Sequence, residues 1–181
     1  MKIRILPTVI TATLSLVLLL GGWFMYRHMA LERPVEKILV NYPGVTSAQA
    51  HITQKQAVLK LDLESNVDIR GLMAQLSKEQ GNLFENRSIK LDIADHSTPE
   101  IEDLWNQASF SVAEAMANKK YTLIPNTLSK IQNENNGYTL SSDMDDRYIY
   151  VTLSSSSDKK ANKYIVLPLT AAIGTGGQSN A

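Results

Sequence analysis

Residues Ile5 to Tyr26 carry no charge and follow a basic tip, Met1-Lys2-Ile3-Arg4. As an α-helix at ~1.5 Å per residue, this run reaches about 33 Å, enough to cross a hydrocarbon core. Water expels such a segment, so the chain must divide into an apolar end and a domain that folds beside it. The expected division is a cytoplasmic tip at 1–4 and a transmembrane anchor at 5–26. Leu16-Val17-Leu18-Leu19-Leu20 forms the apolar centre, and Trp23 and Tyr26 fall where an interfacial aromatic belt belongs. A cleaved secretory signal is the rival; it has a shorter apolar region and a small-x-small cleavage site. The length of the run favours an uncleaved anchor.

Flanking charge says less about orientation. Lys2, Arg4 and the α-amino group stand on one side, and Arg27, Arg33 and Lys37 on the other. A short basic tip before an apolar run behaves as a signal-anchor. The expectation is therefore a single-pass protein of the cell membrane with its C-terminal domain extracytoplasmic.

The first acidic residue is Glu32, so the segment from Arg27 onward has 16 basic and 18 acidic residues, net −2. A weakly acidic domain lacks the basic stripe that nucleic acid requires. The chain has no cysteine, which excludes disulfides, thiolate metal sites and cysteine nucleophiles.

The pattern of the soluble part predicts an α+β fold. Pro34 starts a helix with Val35, Ile38 and Leu39 at helical spacing, and Pro43-Gly44 stops it. Ala48, Ala50 and Ile52 alternate with Gln49 and His51. After Gln54-Lys55-Gln56, Ala57, Leu59, Leu61 and Leu63 alternate with Val58, Lys60 and Asp62, giving a hairpin with one buried face. A helix over 67–80 follows, with Gly81 as its C-terminal cap, and then a strand through Ile89, Leu91 and Ile93. Residues 34–95 thus form an αββαβ module.

Residues 97–169 read as ααβββ. Ser97-Thr98-Pro99-Glu100 caps a long helix whose stripe runs from Ile101 to Met116, with acids at its start and Lys119-Lys120 at its end. A second helix spans 125–133, and Asn135-Asn136-Gly137 ends it. Three antiparallel strands follow at 138–142, 148–154 and 163–169, and 170–181 reads as a disordered tail.

Val35-Glu36-Lys37-Ile38-Leu39 and Tyr42-Pro43-Gly44-Val45-Thr46-Ser47-Ala48 resemble a helix-to-strand phrase of small ferredoxin-like and ring-building-motif modules. Heavy-metal-associated domains share it, but their metal-binding cysteine pair is missing here. With its anchor, the element order is more similar to the ring-building modules of bacterial secretion, flagellar basal-body and sporulation complexes. The whole chain also resembles single-pass membrane proteins of Gram-positive spore-formers. The resemblance implies an assembly role and carries over no functional residues.

No catalytic, cofactor or metal site is predicted. His28, His51 and His96 have no ligand spacing. Asp143, Asp145 and Asp146 lack the glycine and glutamate of a calcium loop and suit a hairpin turn. Glu100, Glu102 and Asp103 are explained by a helix dipole, and Ser154 to Ser157 lack any nucleophile context. Asn86-Arg87-Ser88 matches a glycosylation sequon, a match common by chance. The candidate interaction surface is Tyr148 and Tyr150, on one face of a strand whose other face holds Ile149, Val151 and Leu153, joined by Tyr164 on the neighbouring strand. The competing reading is that both faces are covered within the domain.

The leading expectation is a membrane-anchored, non-enzymatic domain that binds a protein partner or copies of itself, without a cofactor. A cleaved, secreted ligand-binding or inhibitory domain is the alternative, and a membrane enzyme with an unrecognised site is the third.

Overall fold

The computed structural model describes residues 5–85 and 87–169. The expected tip at 1–4, the tail at 170–181 and Asn86 of the sequon lie outside them. The elements are α1 (Ile5–Arg27), a π-helical turn (His28–Glu32), α2 (Arg33–Val40), β1 (Val45–Ile52), β2 (Gln56–Leu63), α3 (Ile69–Phe84), β3 (Ser88–Ile93), α4 (Pro99–Ala117), α5 (Leu123–Glu134), β4 (Tyr138–Met144), β5 (Tyr148–Ser155) and β6 (Asn162–Pro168). The fold is α+β, with one N-terminal helix long and apolar enough to span a membrane.

Pro34 does not open a separate helix. Helical backbone runs unbroken from Ile5 to Val40, and the π-turn sits just before the proline. Proline has no N–H to donate, so a carbonyl one turn back loses its partner, and a wider turn accommodates the mismatch. Before the turn, Val9, Ile10, Leu14, Leu16 to Leu20 and Trp23 to Tyr26 are each more than half exposed. After it, Val35 and Leu39 are fully buried. One helix thus passes from an unpartnered apolar cylinder into a packed core.

β1 and β2 pair antiparallel, with Ala50 opposite Leu59, and β3 joins β2 in parallel through the α3 crossover. Ala50, Ile52, Ala57, Leu59, Leu61 and Leu63 are buried under α2 and α3 with Leu72, Met73 and Leu76. Gly44 turns the chain into β1 at φ +85, and a Cβ there would stand 2.5 Å from Val67 Cγ2; the turn therefore requires glycine. The α3 helix does not stop at Gly81. Helical geometry breaks at Gln80 (φ −134, ψ 25), and a further turn carries Phe84 into the core. The first helical stretch thus breaks at Gln80, where it was expected to end, and burial of the Phe84 ring favours the further turn.

β4, β5 and β6 form an antiparallel sheet in that order. One face carries Leu140, Ile149, Val151 and Leu153 against Ile101, Leu104, Ala108, Val112, Ile124 and Leu128 of α4 and α5. Thr98 caps α4. Lys119 and Lys120 lie beyond its last turn: Lys119 is left-handed (φ 54), and the two backbone N–H groups close onto Met116 and Ala115 carbonyls. That is a Schellman closure made without glycine.

The two sheets meet edge to edge at one bridge, His96 with Asn162. Their outer edges are guarded by side chains. Glu36 accepts the Ala50 N–H (3.0 Å) and Glu32 the Ile52 N–H (3.3 Å) on β1, while Gln132 accepts the Leu140 N–H (2.8 Å) on β4. Filling edge donors in this way blunts strand addition.

Candidate functional site

The tyrosine face is built by the alternation of β5 and β6. Odd-numbered Ile149, Val151 and Leu153 go to the α4–α5 core, so Tyr148 and Tyr150 must point the other way. Tyr164 and Val166 share their face through the β5–β6 register. That face is largely covered, with Tyr148, Tyr164 and Val166 partly buried. It packs on the αββαβ module, and Tyr150 is only 2% exposed. The candidate interaction residues Tyr148, Tyr150 and Tyr164 thus pack within the chain, Tyr150 fully and the other two in part.

Each hydroxyl in the joint has a specific partner. Tyr148 donates to the Ile89 carbonyl at 2.8 Å. Tyr164 donates to the Glu64 carbonyl and accepts the Val67 N–H at 2.9 Å. Tyr150 donates to Asp145 Oδ2 at 2.6 Å, while Asp145 Oδ1 accepts the Arg147 and Tyr148 N–H groups, each at 2.7 Å. Burial, reinforced by the Asp145 carboxylate, pushes the Tyr150 hydroxyl pKa strongly upward. Burial alone raises the pKa of Asp145; the three hydrogen bonds and nearby Arg147 outweigh it and hold the carboxyl below its usual range. Of the aspartates read as a turn, Asp145 and Asp146 lie in it, whereas Asp143 is paired within β4; Asp145 ties the turn to the tyrosine face.

Around the bridge the joint is polar. Asn162 Nδ2 donates to the Leu63 carbonyl at 3.1 Å, and His96 Nε2 lies 2.8 Å from Asp62. Lys163 Nζ contacts both Asp95 (2.5 Å) and Glu102 (2.6 Å). Burial opposes the charge on Lys163, but the two carboxylates raise its pKa overall.

Beside the joint is a cavity of about 330 Å³ between α3 and the β4–β5 turn. Met73, Phe84 and Ile89 give it an apolar lining, and Arg70, Arg147 and Asp146 stand among its polar residues. A second, wider groove of about 740 Å³ lies where the N-terminal helix meets β1. His28, Glu32, Glu36, His51 and Lys60 line it. Glu32 is the centre: Oε2 is 2.9 Å from His28 Nδ1, Oε1 is 3.6 Å from His51 Nδ1, and Oε1 also takes the Ile52 N–H. These contacts join the end of the long N-terminal helix to the sheet.

Among the described residues, no group of three or more histidines and carboxylates is arranged to hold a metal ion. Comparison with family models, with curated proteins and with solved structures found no match.

The sequence reading missed Glu32 and Glu36 as contacts to β1. Their signal was faint but present: they lie one helical turn apart, beside Val35 and Leu39, on a helix that packs against a strand. It also missed the tie from Asp145 to Tyr150, since nothing local shows which group a turn aspartate will accept.

Proposed function

We propose that this chain is a single-pass membrane protein whose extracytoplasmic α+β domain is a non-enzymatic assembly module, binding protein partners or copies of itself. The observation that carries the reading is the unbroken helix from the apolar span into the module core. A flexible linker would let the domain sample many heights and tilts. Here Val35 and Leu39 are buried in the core, and Glu32 and Glu36 hold β1. Tethering supplies effective concentration, so a modest interface suffices for association, and a stiff junction also presents it at a set height.

Helical backbone across Gly22 to Arg33 favours an anchor over a cleaved signal, because a processing site must be presented in extended form. The 330 Å³ cavity favours the second reading, a secreted ligand-binding domain, since it falls at the lower end of the usual range for small-molecule sites.

Affinity purification of the intact protein from membranes in mild detergent tests the first reading. A stoichiometric protein partner, or a defined oligomer, is the expected result. A reproducibly monomeric, partnerless protein counts against it. N-terminal sequencing of the mature chain decides between anchor and cleaved signal, and protease treatment of intact cells decides the side on which the domain lies.

A further inference from the structure

The bonds between anchor helix and sheet fix how far each part of the module stands from the membrane. Glu36 meets Ala50 and Glu32 meets Ile52. Four helical residues span about 6 Å and two strand residues about 6.7 Å. The match means that β1 runs back along α2, nearly antiparallel to it. Ile52 is therefore level with Glu32, roughly 9 Å beyond Tyr26. The β1–β2 turn continues toward the anchor, so Gln54 and Lys55 extend about 5–7 Å past Ile52. That places the turn within a few ångströms of the level of Tyr26. The headgroup layer on each side of a bilayer is roughly 5–7 Å deep, and the turn falls inside it.

The charge at this end suits that position. Lys55 is exposed. Arg87 donates to the Thr53 carbonyl through Nε at 2.6 Å and to the Leu83 carbonyl through Nη1, so its bonds brace the turn while its charge is met by carbonyls. Exposed Lys90 stands close by on β3, and His28 and His51 flank the same end. Glu85 is an exposed carboxylate at this end, and exposed Glu79 lies about 9 Å back along α3. Asp62, Glu64, Asp92 and Asp95 lie toward the opposite end, because β2 and β3 both run away from the turn.

We infer that the β1–β2 turn is a second membrane contact, in which Lys55, braced by Arg87, rests on the lipid phosphates of the bilayer that α1 crosses. This rests on the reading of α1 as an anchor. The contact adds a second point of support and fixes rotation of the module about the anchor axis, which the helix alone leaves free. A basic residue at an anionic surface is attracted, and the attraction falls with salt.

The chain has no cysteine, so single labels can be placed cleanly in the full-length protein. Gln54→Cys, Glu64→Cys and Leu16→Cys would each carry a fluorophore in nanodiscs containing phosphatidylglycerol. Nitroxide lipids would quench from the headgroup or from mid-chain. The expected result is mid-chain quenching at position 16, and headgroup quenching several-fold stronger at 54 than at 64. Adding Lys55→Glu should reduce quenching at 54 and leave the urea midpoint unchanged. Strong quenching at 16 with equal quenching at 54 and 64 overturns this contact and leaves the anchor intact. Quenching at 54 that ignores Lys55→Glu overturns the phosphate contact. No quenching at 16 removes the anchor, and this inference with it.

Discussion

Replacing Tyr150 with Phe removes one hydroxyl and leaves the ring in place. The wild-type ring is 2% exposed, and its hydroxyl donates at 2.6 Å to Asp145, a carboxylate held ionised by two further N–H donors. A hydrogen bond to a charged group contributes about 1.5–3 kcal/mol. Asp145 is partly exposed, and water can replace part of what is lost, so Tyr150→Phe should cost about 1–2 kcal/mol. That corresponds to roughly 3–6 °C in Tm for a domain of this size. The pH dependence carries the sharper test. The folded pKa of Asp145 lies below its ordinary value. Its contribution is present above the unfolded pKa, near 3.9, and is lost as pH falls through the folded value. The gap between wild type and variant should be full at about pH 7 and shrink on acidification below about pH 4. Urea unfolding of the full chain in detergent, followed by near-ultraviolet circular dichroism, would measure both. Equal stabilities at neutral pH, or a gap unchanged in acid, would refute the charge-assisted bond as the reason.

Three other perturbations follow from the same geometry. Glu32→Ala with Glu36→Ala should uncover the β1 edge and speed amide exchange at Ala50 and Ile52 by roughly tenfold or more, read by hydrogen–deuterium exchange; unchanged exchange there would show that the carboxylates do not protect the edge. Lys119→Gly should stabilise the fold by up to about 1 kcal/mol, read as a higher urea midpoint, because Lys119 holds the left-handed end of α4 at φ 54; destabilisation would mean that the side chain itself holds the turn. The pKa of Asp95 is lowered because its contacts with Lys163 and Ser97 outweigh the opposing effect of burial. Wild type should therefore lose stability more steeply than Asp95→Asn as pH falls from about 5 to about 2, measured as the urea midpoint against pH, and parallel curves would rule out that contribution.

Several elements were readable because their causes are local. The β1–β2 alternation, the Ser97-Thr98-Pro99 start of α4 and the Ile149, Val151 and Leu153 face follow from side-chain period and capping, which depend on a few neighbouring residues. The misreadings occur where distant packing overrules a local preference. Pro34 is a good helix starter, yet the chain upstream is already helical, and a π-turn carries the helix through. Gly81 is a good helix stop, yet Phe84 lies three residues on and has a core to fill. The tyrosine face shows the same limit at the level of function. Alternation correctly places Tyr148, Tyr150 and Tyr164 on one side, but cannot say what lies opposite.

The sequence by itself determined the division of the chain: an apolar helix that water expels, then an α+β domain with a buried face on each sheet. Those features depend on hydrophobicity and its period, which are properties of single residues and their neighbours. Only the tertiary structure decided what the polar groups are for. Glu32 and Glu36 become guards of a sheet edge, Asp145 the partner of a buried tyrosine, and Arg87 the brace of the β1–β2 turn. Glu36, Glu32 and Arg87 meet groups 14, 20 and 34 residues away, and Asp145 meets Tyr150 five residues on, across a hairpin turn; a hydrogen bond exists only where folding brings donor and acceptor within about 3 Å.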